Sequence, residues 1–369
     1  MMRRVGLVGI ALAACVVLFS GTSRRPVGLD VPAQLADEAF WRLSHETSEP
    51  DGYFDSDNLV SNEDTFETVI PELRRIVPPG RVYLGVGPDQ NFTYIAAIEP
   101  RLAFILDVRR GNLQVHLMYK ALFELSADRA EFLSRLFARP VPHGVESGWS
   151  AGQLLSAFAG LPPDQPLQRE GFRAIVSRLQ SHHHFPLAPD DVSGIGRVYN
   201  QFVSGGPELR FVSSRSGNWY PSFQDIQIST DANGVAWSYL SSEAHFQRVK
   251  TLQEANAIIP IVGNFAGPSA LKAIGRYLAA HGATVGAFYT SNVERYLFQD
   301  RLWQSYVDNV SELPLTEAST FIRSCFDACS SLGQPRAVSL LDSMPTLLQD
   351  VKAGHVATYG DVLLRTRRR

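Results

Sequence analysis

A glycine-bearing loop between a short apolar strand and a helix is the feature that most constrains the fold of this 369-residue chain. Residues 81–86 predict the strand, and residues 92–98 predict the helix after the loop. A second apolar strand is predicted over residues 102–106, and it ends at Asp107. Short buried strands that alternate with helices favour a parallel sheet, because both faces of such a sheet are covered.

The same alternation returns in the second half of the chain. Strands are predicted over residues 257–262 and 283–289, with a helix over residues 268–280 between them. We therefore predict an α/β, Rossmann-like domain over residues 81–350, with a mostly parallel sheet and helices on both faces. Ligands bind at the carboxyl ends of the strands in open sheets of this kind, so we expect the functional residues there.

A helical lead-in, residues 26–80, precedes the predicted domain. The spacing of apolar residues predicts a helix over residues 32–43. The polar residues 61–64 are expected to supply N-cap side chains for a second helix. Two prolines and a glycine at residues 78–80 predict the end of the lead-in.

The middle of the chain, residues 181–240, is expected to form an insertion or lid over the sheet. Asn233-Gly234 within it is a strong turn signal, because both residue types tolerate a positive φ. The flanking residues 224–230 and 235–240 predict the two strands of a hairpin.

An apolar segment within residues 1–25 follows Arg3 and Arg4, which is the pattern of a signal peptide or membrane anchor. Three interpretations are open. The segment is an uncleaved N-terminal hydrophobic helix, a cleaved secretory signal, or the leader of a lipoprotein in which Cys15 takes the lipid. Arginines flank the segment on both sides, so charge leaves the side of the membrane open.

The distribution of charge excludes duplex nucleic acid as the main partner. The net formal charge is −3, but eight arginines lie in the first 25 and the last five residues, without an acidic residue among them. The body of the chain is therefore strongly acidic, whereas phosphate contacts need clustered lysine and arginine. The basic tail comprises residues 351–369, and its last part, residues 365–369, is expected to be disordered, with contact to anionic lipid as the alternative.

Four residues of the first strand–helix–strand unit are candidate cofactor-binding residues. Gly85 and Gly87 let the backbone approach a ligand closely, and the helix that begins near Asn91 directs free backbone amides at the same place. Asp107 ends the second strand about twenty residues further on, where a carboxylate accepts the ribose hydroxyls of an adenosine. The spacing therefore predicts a ligand that contains a nucleoside.

Two residues of the loop argue against a dinucleotide. Gln90 stands where the third glycine of the dinucleotide pattern would be. Asp89 puts a carboxylate beside the expected position of the phosphates, and like charges repel. An NAD- or nucleotide-dependent enzyme is therefore disfavoured. S-adenosylmethionine fits the loop better, because it joins an adenosine to a sulfonium and carries no phosphate.

This part of the chain resembles known enzyme families. Residues 82–91 and 103–107 are similar to the first two motifs of class I S-adenosylmethionine-dependent methyltransferases. Residues 107–137, with Asn112 and His116, resemble more distantly the S-adenosylmethionine-dependent aminocarboxypropyl transferases that act on diacylglycerol. The chain as a whole resembles a family of uncharacterised bacterial proteins. The resemblance implies a transferase with S-adenosylmethionine as cofactor and a small or lipid acceptor.

The resemblance and the predicted strand ends together give three candidate catalytic residues, Asn264, Tyr289 and Asn292. Asn264 stands where related families place an acidic or amide side chain near the transferred group, and Asn292 belongs to a similar loop after the next strand. Such a transfer needs little beyond alignment of the nucleophile with the electrophilic carbon, so no general base is assigned. The competing hypothesis is an exported, membrane-tethered protein that is non-catalytic or binds another ligand, since S-adenosylmethionine is a cytoplasmic metabolite.

No metal site is predicted. His182, His183 and His184 are followed by Asp190 and Asp191, which suggests metal ligands at first sight. Consecutive side chains point in different directions, however, so these residues are interpreted as a solvated polar loop.

Overall fold

The computed structural model describes residues 31–212, 220–326 and 337–367. The hydrophobic helix predicted within residues 1–25 lies outside the described residues, and so does Cys15. Within the described ranges, no helix combines the length and the hydropathy that crossing a membrane requires.

Six strands in the described part of the chain form one sheet: β1 (Val82–Gly85), β2 (Leu102–Asp107), β3 (Ile258–Val262), β4 (Val285–Ser291), β5 (Thr320–Cys325) and β6 (Val338–Ser343). Their order across the sheet is β3-β2-β1-β4-β5-β6. The first five are parallel, and β6 pairs with β5 in the antiparallel sense. Every residue of β1, β2, β3 and β5 is buried, so both faces of the sheet are covered. The prediction of an α/β domain with a mostly parallel sheet is confirmed.

Fifteen α-helices accompany the sheet in the described residues: α1 (Asp37–Thr47), α2 (Ile70–Ile76), α3 (Gln90–Ile98), α4 (Arg110–Leu125), α5 (Arg129–Phe137), α6 (Ala151–Ala159), α7 (Gln165–Ser177), α8 (Pro189–Gly205), α9 (Phe223–Gln227), α10 (Glu243–Glu254), α11 (Ala270–Ala280), α12 (Val293–Gln299), α13 (Trp303–Ser311), α14 (Met344–Lys352) and α15 (Tyr359–Arg367). α3 connects β1 to β2, and α11 connects β3 to β4 in the opposite direction across the sheet. Because such crossovers are right-handed, these two helices lie on opposite faces. The direction reverses between β1 and β4, which opens a crevice at the carboxyl ends of these strands.

The long connection between β2 and β3 holds the helices α4 to α10. Within it, α8 packs against α4. Arg110 of α4 forms an ion pair with Asp191 of α8, with 2.6 Å between Nε and Oδ1. Gly194 lets the two helices come close, because a Cβ at this position would lie 1.9 Å from Oε1 of Gln114. Residues 189–205 of the predicted lid, which form α8, therefore pack on α4.

The hairpin predicted on either side of Asn233-Gly234 is wrong. Most of the first predicted strand is occupied by α9, which begins with a capping box at Ser222. The turn itself forms, with Gly234 at a φ of 77°. The Asp231 carboxylate accepts hydrogen bonds from the backbone N of Asn233 (2.8 Å) and of Val235 (3.0 Å). These bonds occupy amides that a strand ladder would need, so the chain continues as a loop.

The solvated polar loop predicted around residues 182–184 is wrong for His183, which is buried. Its Nδ1 lies 2.8 Å from Oδ1 of Asp37, and its Nε2 lies 2.6 Å from Oε2 of Glu124. Asp191, the acid further along the same segment, is buried in its ion pair with α4. In the part of the chain that the structure describes, no group of His, Cys, Asp and Glu is arranged to hold a metal ion.

The lead-in covers the edge strand β3. Ser44 Oγ of α1 donates a hydrogen bond to the carbonyl O of Pro260 (2.5 Å). Val262 N donates to Ser48 Oγ (2.9 Å), and Glu49 N donates to Val262 O (2.7 Å). These bonds satisfy strand groups that would otherwise be unpaired at the edge of the sheet. The same bonds bring the segment after α1 to the carboxyl ends of the strands.

Glu49 fastens this segment to the start of α11. Its carboxylate accepts hydrogen bonds from the backbone N of Asn264 (3.0 Å), Ser269 (2.9 Å) and Ala270 (2.9 Å). Glu49→Ala removes the acceptor for three amides, two of them at the positive end of α11, so we expect the free energy of unfolding to fall by about 1–3 kcal/mol. Urea unfolding measures this loss, with Glu46→Ala, an exposed position of α1, as control. A loss no larger than that of the control would contradict the role.

Candidate functional site

A cavity of about 210 Å³ opens at the carboxyl ends of β1, β2, β3 and β4. Residues that follow each of these strands line it, together with parts of residues 53–63 from the lead-in and of residues 291–300. A single water needs roughly 10–15 Å³ of such volume, so the cavity has room for a small organic molecule. It occupies the edge at which open α/β sheets bind their ligands.

Five of the predicted site residues line this cavity: Gly87, Asp107, Asn264, Tyr289 and Asn292. They lie at or just after the carboxyl ends of four different strands, between residues 87 and 292 of the sequence. Tyr289 is buried, whereas Asn264 and Asn292 are partly exposed. Asn292 occupies the N-cap position of α12, but its side chain does not cap the helix. Its amide is therefore available to a ligand.

Gly85 and Asn91, which were also predicted to bind a cofactor, are not brought to the cavity. A Cβ on Gly85 would lie 1.9 Å from Oδ1 of Asn91, so the glycine makes room for that side chain. Asn91 Oδ1 accepts a hydrogen bond from the hydroxyl of Tyr83 (2.8 Å). Its Nδ2 donates to the carbonyl O of Val86 (2.9 Å) and of Pro88 (2.7 Å). Gly85 and Asn91 therefore stabilise the conformation of the loop and do not line the cavity.

Gly87 is a glycine for a conformational reason. Its φ of 79° lies in the left-handed region, and a Cβ there would meet no atom within 4 Å. Nε2 of His116, from α4, donates a hydrogen bond to the carbonyl O of Gly87 (2.8 Å). Burial lowers the pKa of His116 to about 4, so the ring is neutral at ordinary pH. The loop is thus supported by α4, and Gly87 is open toward the cavity.

Asp107, the predicted ribose ligand, is held by Arg109. Its Oδ1 accepts from the backbone N (3.0 Å) and Nε (2.9 Å) of Arg109, and its Oδ2 accepts from Nη2 (2.6 Å). Arg109 also donates to the carbonyl O of Ser56 (2.9 Å) and of Asp57 (2.5 Å), so it ties the lead-in to β2. A carboxylate oxygen accepts two hydrogen bonds, which leaves one acceptor position on Oδ2 of Asp107 for a ligand.

Glu63 is a cavity residue that was not predicted from the sequence as part of a site. Its side chain is buried, with 1% of the residue exposed, and it lines the cavity. Oε1 accepts hydrogen bonds from the hydroxyls of Tyr289 (2.8 Å) and Ser291 (2.5 Å), and Oε2 accepts from Nε2 of Gln90 (2.9 Å). Donors from the end of β4 and from α3 thus fix the Glu63 carboxylate beside the crevice between β1 and β4.

The capping role predicted for residues 61–64 is wrong. A short 3₁₀ helix, Phe66–Val69, follows them, but its N-cap residue is Thr65 and makes no side-chain capping bond. Ser61 instead donates a hydrogen bond from Oγ to the side chain of Gln90. The sequence shows only a run of polar residues, and the fold places three of them, Ser61, Asn62 and Glu63, in the cavity lining.

Asp89, which was expected to repel phosphates at the loop, has its carboxyl group elsewhere. Its Oδ2 accepts hydrogen bonds from Nε2 of Gln227 (2.8 Å) and from the hydroxyl of Tyr239 (2.9 Å). Burial raises the pKa of Asp89 to about 7. The argument against phosphates that was based on Asp89 is therefore wrong, because this side chain bonds within the helical layer.

The charge of the cavity itself favours a cation. Its described lining includes three carboxylates, Glu63, Asp107 and Asp300, and one guanidinium, that of Arg109, which is paired with Asp107. Aromatic rings add to this preference, because the face of a ring attracts a positive charge. Two of them, on Phe54 and Tyr296, meet edge to face with 5.4 Å between their centroids.

Fold and cavity together define the class, an α/β protein with a cavity at the carboxyl edge of a mostly parallel sheet. The chain belongs to the family described as a domain of unknown function, DUF7790, whose model matches residues 58–141 and 220–341. The matched segments make up more than half of the chain and contain β1 to β5, Glu63 and Asp107. The helices α6 to α8 lie outside the match. No curated protein matches the chain.

Proposed function

We propose that this protein is an S-adenosylmethionine-dependent transferase that acts on a small or lipid acceptor, with S-adenosylmethionine bound in the cavity. The observation that carries the proposal is the convergence of Gly87, Asp107, Asn264, Tyr289 and Asn292, which were predicted from separate motifs, on one cavity. The strand order is that of Rossmann-type sheets, which supports a Rossmann-like relationship. The cavity lies where such sheets bind a nucleoside.

The electrostatics support S-adenosylmethionine over a dinucleotide. The pyrophosphate of NAD carries two negative charges, and the described lining of the cavity already has more carboxylates than cations. The loop also has Gln90 in place of the third glycine of the dinucleotide pattern, the glycine that lets the helix pack closely on the strand. A sulfonium is attracted by the same carboxylates and rings that disfavour phosphates.

The cavity residues suit binding and alignment. The acceptor position left on Oδ2 of Asp107 can take one ribose hydroxyl. Asn264 Oδ1 accepts a hydrogen bond from the backbone N of Ala266 (2.9 Å), which fixes the side chain while its Nδ2 can donate to a ligand. Bound S-adenosylmethionine supplies the electrophilic carbon and a good leaving group, so the contribution of Asn264, Tyr289 and Asn292 is to position the reactants.

The rim of the cavity supports an apolar acceptor. Tyr53 lies in the cavity lining and is 87% exposed, so its ring is open to an apolar acceptor. We propose that the segment within residues 1–25 holds the domain at a membrane, where a lipid acceptor would reach this rim.

Calorimetric titration of the full-length chain in mild detergent tests the proposal. We expect S-adenosylmethionine and S-adenosylhomocysteine to bind, and NAD not to bind at millimolar concentration. Asp107→Asn should weaken binding tenfold or more, because it disturbs both the ribose acceptor and its ion pair with Arg109. Asp308→Asn, an exposed position of α13, is the control and should bind as the wild type does. No heat of binding for either adenosine ligand at millimolar concentration would refute the proposal.

A second candidate function is favoured by the ion pair of Asp107. Arg109 takes three of the four acceptor positions on this carboxylate, which is more than a dedicated ribose ligand would normally give up. An exported, membrane-tethered protein that is non-catalytic or binds a different cation in the same cavity would have this arrangement too. The titration separates the two, since this candidate binds neither adenosine ligand.

A further inference from the structure

We propose that Glu63 binds the positively charged centre of the ligand. In the function proposed above this centre is the sulfonium, and the inference rests on that function only for the identity of the cation. The chemical class that Glu63 would recognise is a small molecule with a sulfonium or an alkylated ammonium group.

The first argument is that Glu63 is buried without a counter-charge. In the described chain, no lysine, arginine or histidine lies within ion-pair distance of its carboxylate, although only 1% of the residue is exposed. A buried carboxylate is costly unless a cation pairs with it. The buried carboxylates of Asp107, Asp191 and Glu294 each pair with an arginine. Glu67 and Asp89 are also buried without an ion pair, but they lie outside the cavity lining. Glu63 differs from both groups because it has no counter-charge and faces the open cavity.

The second argument is the nature of the groups that hold Glu63. The hydroxyls of Tyr289 and Ser291 and the amide of Gln90 are neutral donors, so they fix the carboxylate without cancelling its charge. Oε1 accepts two of these bonds and Oε2 one, so Oε2 keeps an acceptor position. The side chain of Gln90 is itself held by Ser61. The result is an oriented negative charge in a cavity wall.

The third argument is the aromatic surface around the same cavity. Phe265, Tyr289 and Tyr296 contribute to its lining, together with Phe54, whose ring already has the guanidinium of Arg109 at 5.8 Å from its centroid. A cation within about 6 Å of a ring centroid is stabilised by the electrons of the ring face, and this effect is largest where water is excluded. Methyl groups on a sulfonium or ammonium contact such rings well, whereas a hydrated metal ion does not. A soft, alkylated cation therefore matches both the carboxylate and the rings.

The test compares wild type with Glu63→Gln, using two kinds of probe on the full-length chain. The first pair is S-adenosylmethionine and S-adenosylhomocysteine, which differ in the charge at sulfur. We expect Glu63→Gln to weaken the first at least tenfold and the second less than threefold in calorimetry. The second probe is the trimethylsulfonium ion, whose broadened proton NMR line should sharpen in the variant. Glu67→Gln, equally buried but outside the cavity lining, is the matched control and should behave as the wild type.

The outcomes separate this inference from the proposed function. Equal weakening of both adenosine ligands, or none, would overturn the role of Glu63 and leave the transferase proposal standing. Absence of adenosine binding, with trimethylsulfonium binding that depends on Glu63, would refute the transferase and support the inference. If neither S-adenosylmethionine nor trimethylsulfonium binds in a way that depends on Glu63, the inference is overturned.

A second variant covers the case in which Glu63→Gln does not fold. Tyr289→Phe keeps the charge of Glu63 and removes one of the donors that orient it. We expect a smaller selective loss, about threefold to fivefold for S-adenosylmethionine, with little change for S-adenosylhomocysteine. Loss of both ligands to the same extent would assign Tyr289 and Glu63 a structural role and overturn the inference.

Discussion

Replacing Arg323 by methionine is expected to lower the free energy of unfolding by about 3–5 kcal/mol. Arg323 lies on β5 and is fully buried. Its Nη1 lies 2.6 Å from Oδ2 of Asp342 on β6, and its Nη2 lies 3.0 Å from Oε1 of Glu294 on α12. The substitution would leave the buried carboxylate of Glu294 without its cation and that of Asp342 with Arg365 alone, and the large cost arises there.

The consequences of this change extend to the C-terminal helices. The disorder predicted for residues 365–369 is wrong for Arg365, which lies in α15. Arg365 pairs with Asp342 as well, and its Nη2 lies 2.8 Å from Oδ2 of Asp350 on α14. Arg323 is therefore the central member of a network that attaches the antiparallel strand β6 and two helices to the sheet. We expect unfolding of the variant to begin at the β6 edge of the sheet.

Urea unfolding followed by tryptophan fluorescence measures the effect. Arg75→Met is the control, because the pair of Arg75 with Glu72 is exposed and such pairs contribute about 0–1 kcal/mol. The triple variant Arg323→Met, Glu294→Gln, Asp342→Asn should be more stable than the single variant, since it leaves no unpaired charge at this position. A single variant as stable as the control would contradict a stabilising network.

The first strand–loop–helix–strand unit could be predicted because its signals are local. β1 and β2 consist largely of apolar residues, and each ends at a residue type that strands rarely contain, Gly85 and Asp107. Gly87 and Asp107 lie at or just after those ends, so their position at one edge of the sheet follows from the parallel arrangement alone. The same reasoning placed Tyr289 and Asn264, whose strands are equally apolar, at the cavity.

β5 could not be predicted in this way. Its sequence, Thr320–Cys325, contains an arginine, a threonine and a serine, although every residue of the strand is buried. An arginine in a central strand is tolerated only because Glu294 and Asp342 come to it from other elements. Those partners are not neighbours in the sequence, and the apolar pattern that identifies buried strands is therefore absent.

Glu63 illustrates the same limit for the site. Its hydrogen-bond partners Gln90, Tyr289 and Ser291 lie on elements that are separate in the sequence. Nothing within residues 61–64 distinguishes a carboxylate that enters a cavity from one that caps a helix. The prediction that Asn91 binds a cofactor failed for the opposite reason. Its local sequence pattern was correct, but its side-chain amide donates hydrogen bonds to carbonyl groups of the loop itself.

The dependence of stability on pH is the second large effect that we expect. Asp89 and Glu67 are buried, and neither forms an ion pair with another described residue. Burial raises the pKa of Asp89 to about 7 and the pKa of Glu67 to about 8. Hydrogen bonds from the Tyr239 hydroxyl to Asp89 and from the backbone N of Trp237 to Glu67 oppose this shift without cancelling it.

The direction of the effect depends on which state holds the proton. Asp89 keeps a proton in the folded state from pH 3.8 to about 7, a range in which the unfolded chain has lost it. Glu67 does the same from pH 4.5 to about 8. Stability therefore falls as the pH rises through this range, by up to about 1.4 kcal/mol per pH unit for each group. His116 acts in the opposite sense below pH 6.5, because burial lowers its pKa to about 4.

Asp89→Asn and Glu67→Gln preserve the size of the side chains but have no proton to lose. We expect each variant to gain on the order of 2–3 kcal/mol over the wild type between pH 5 and pH 8. Urea unfolding at intervals across this range measures the gain, and Asp190→Asn, an exposed position, should follow the wild type. Wild type and variants share His116 and all other groups, so their difference isolates the two carboxyls. Variants that change with pH in parallel with the wild type would mean that both carboxyls ionise normally in the folded protein.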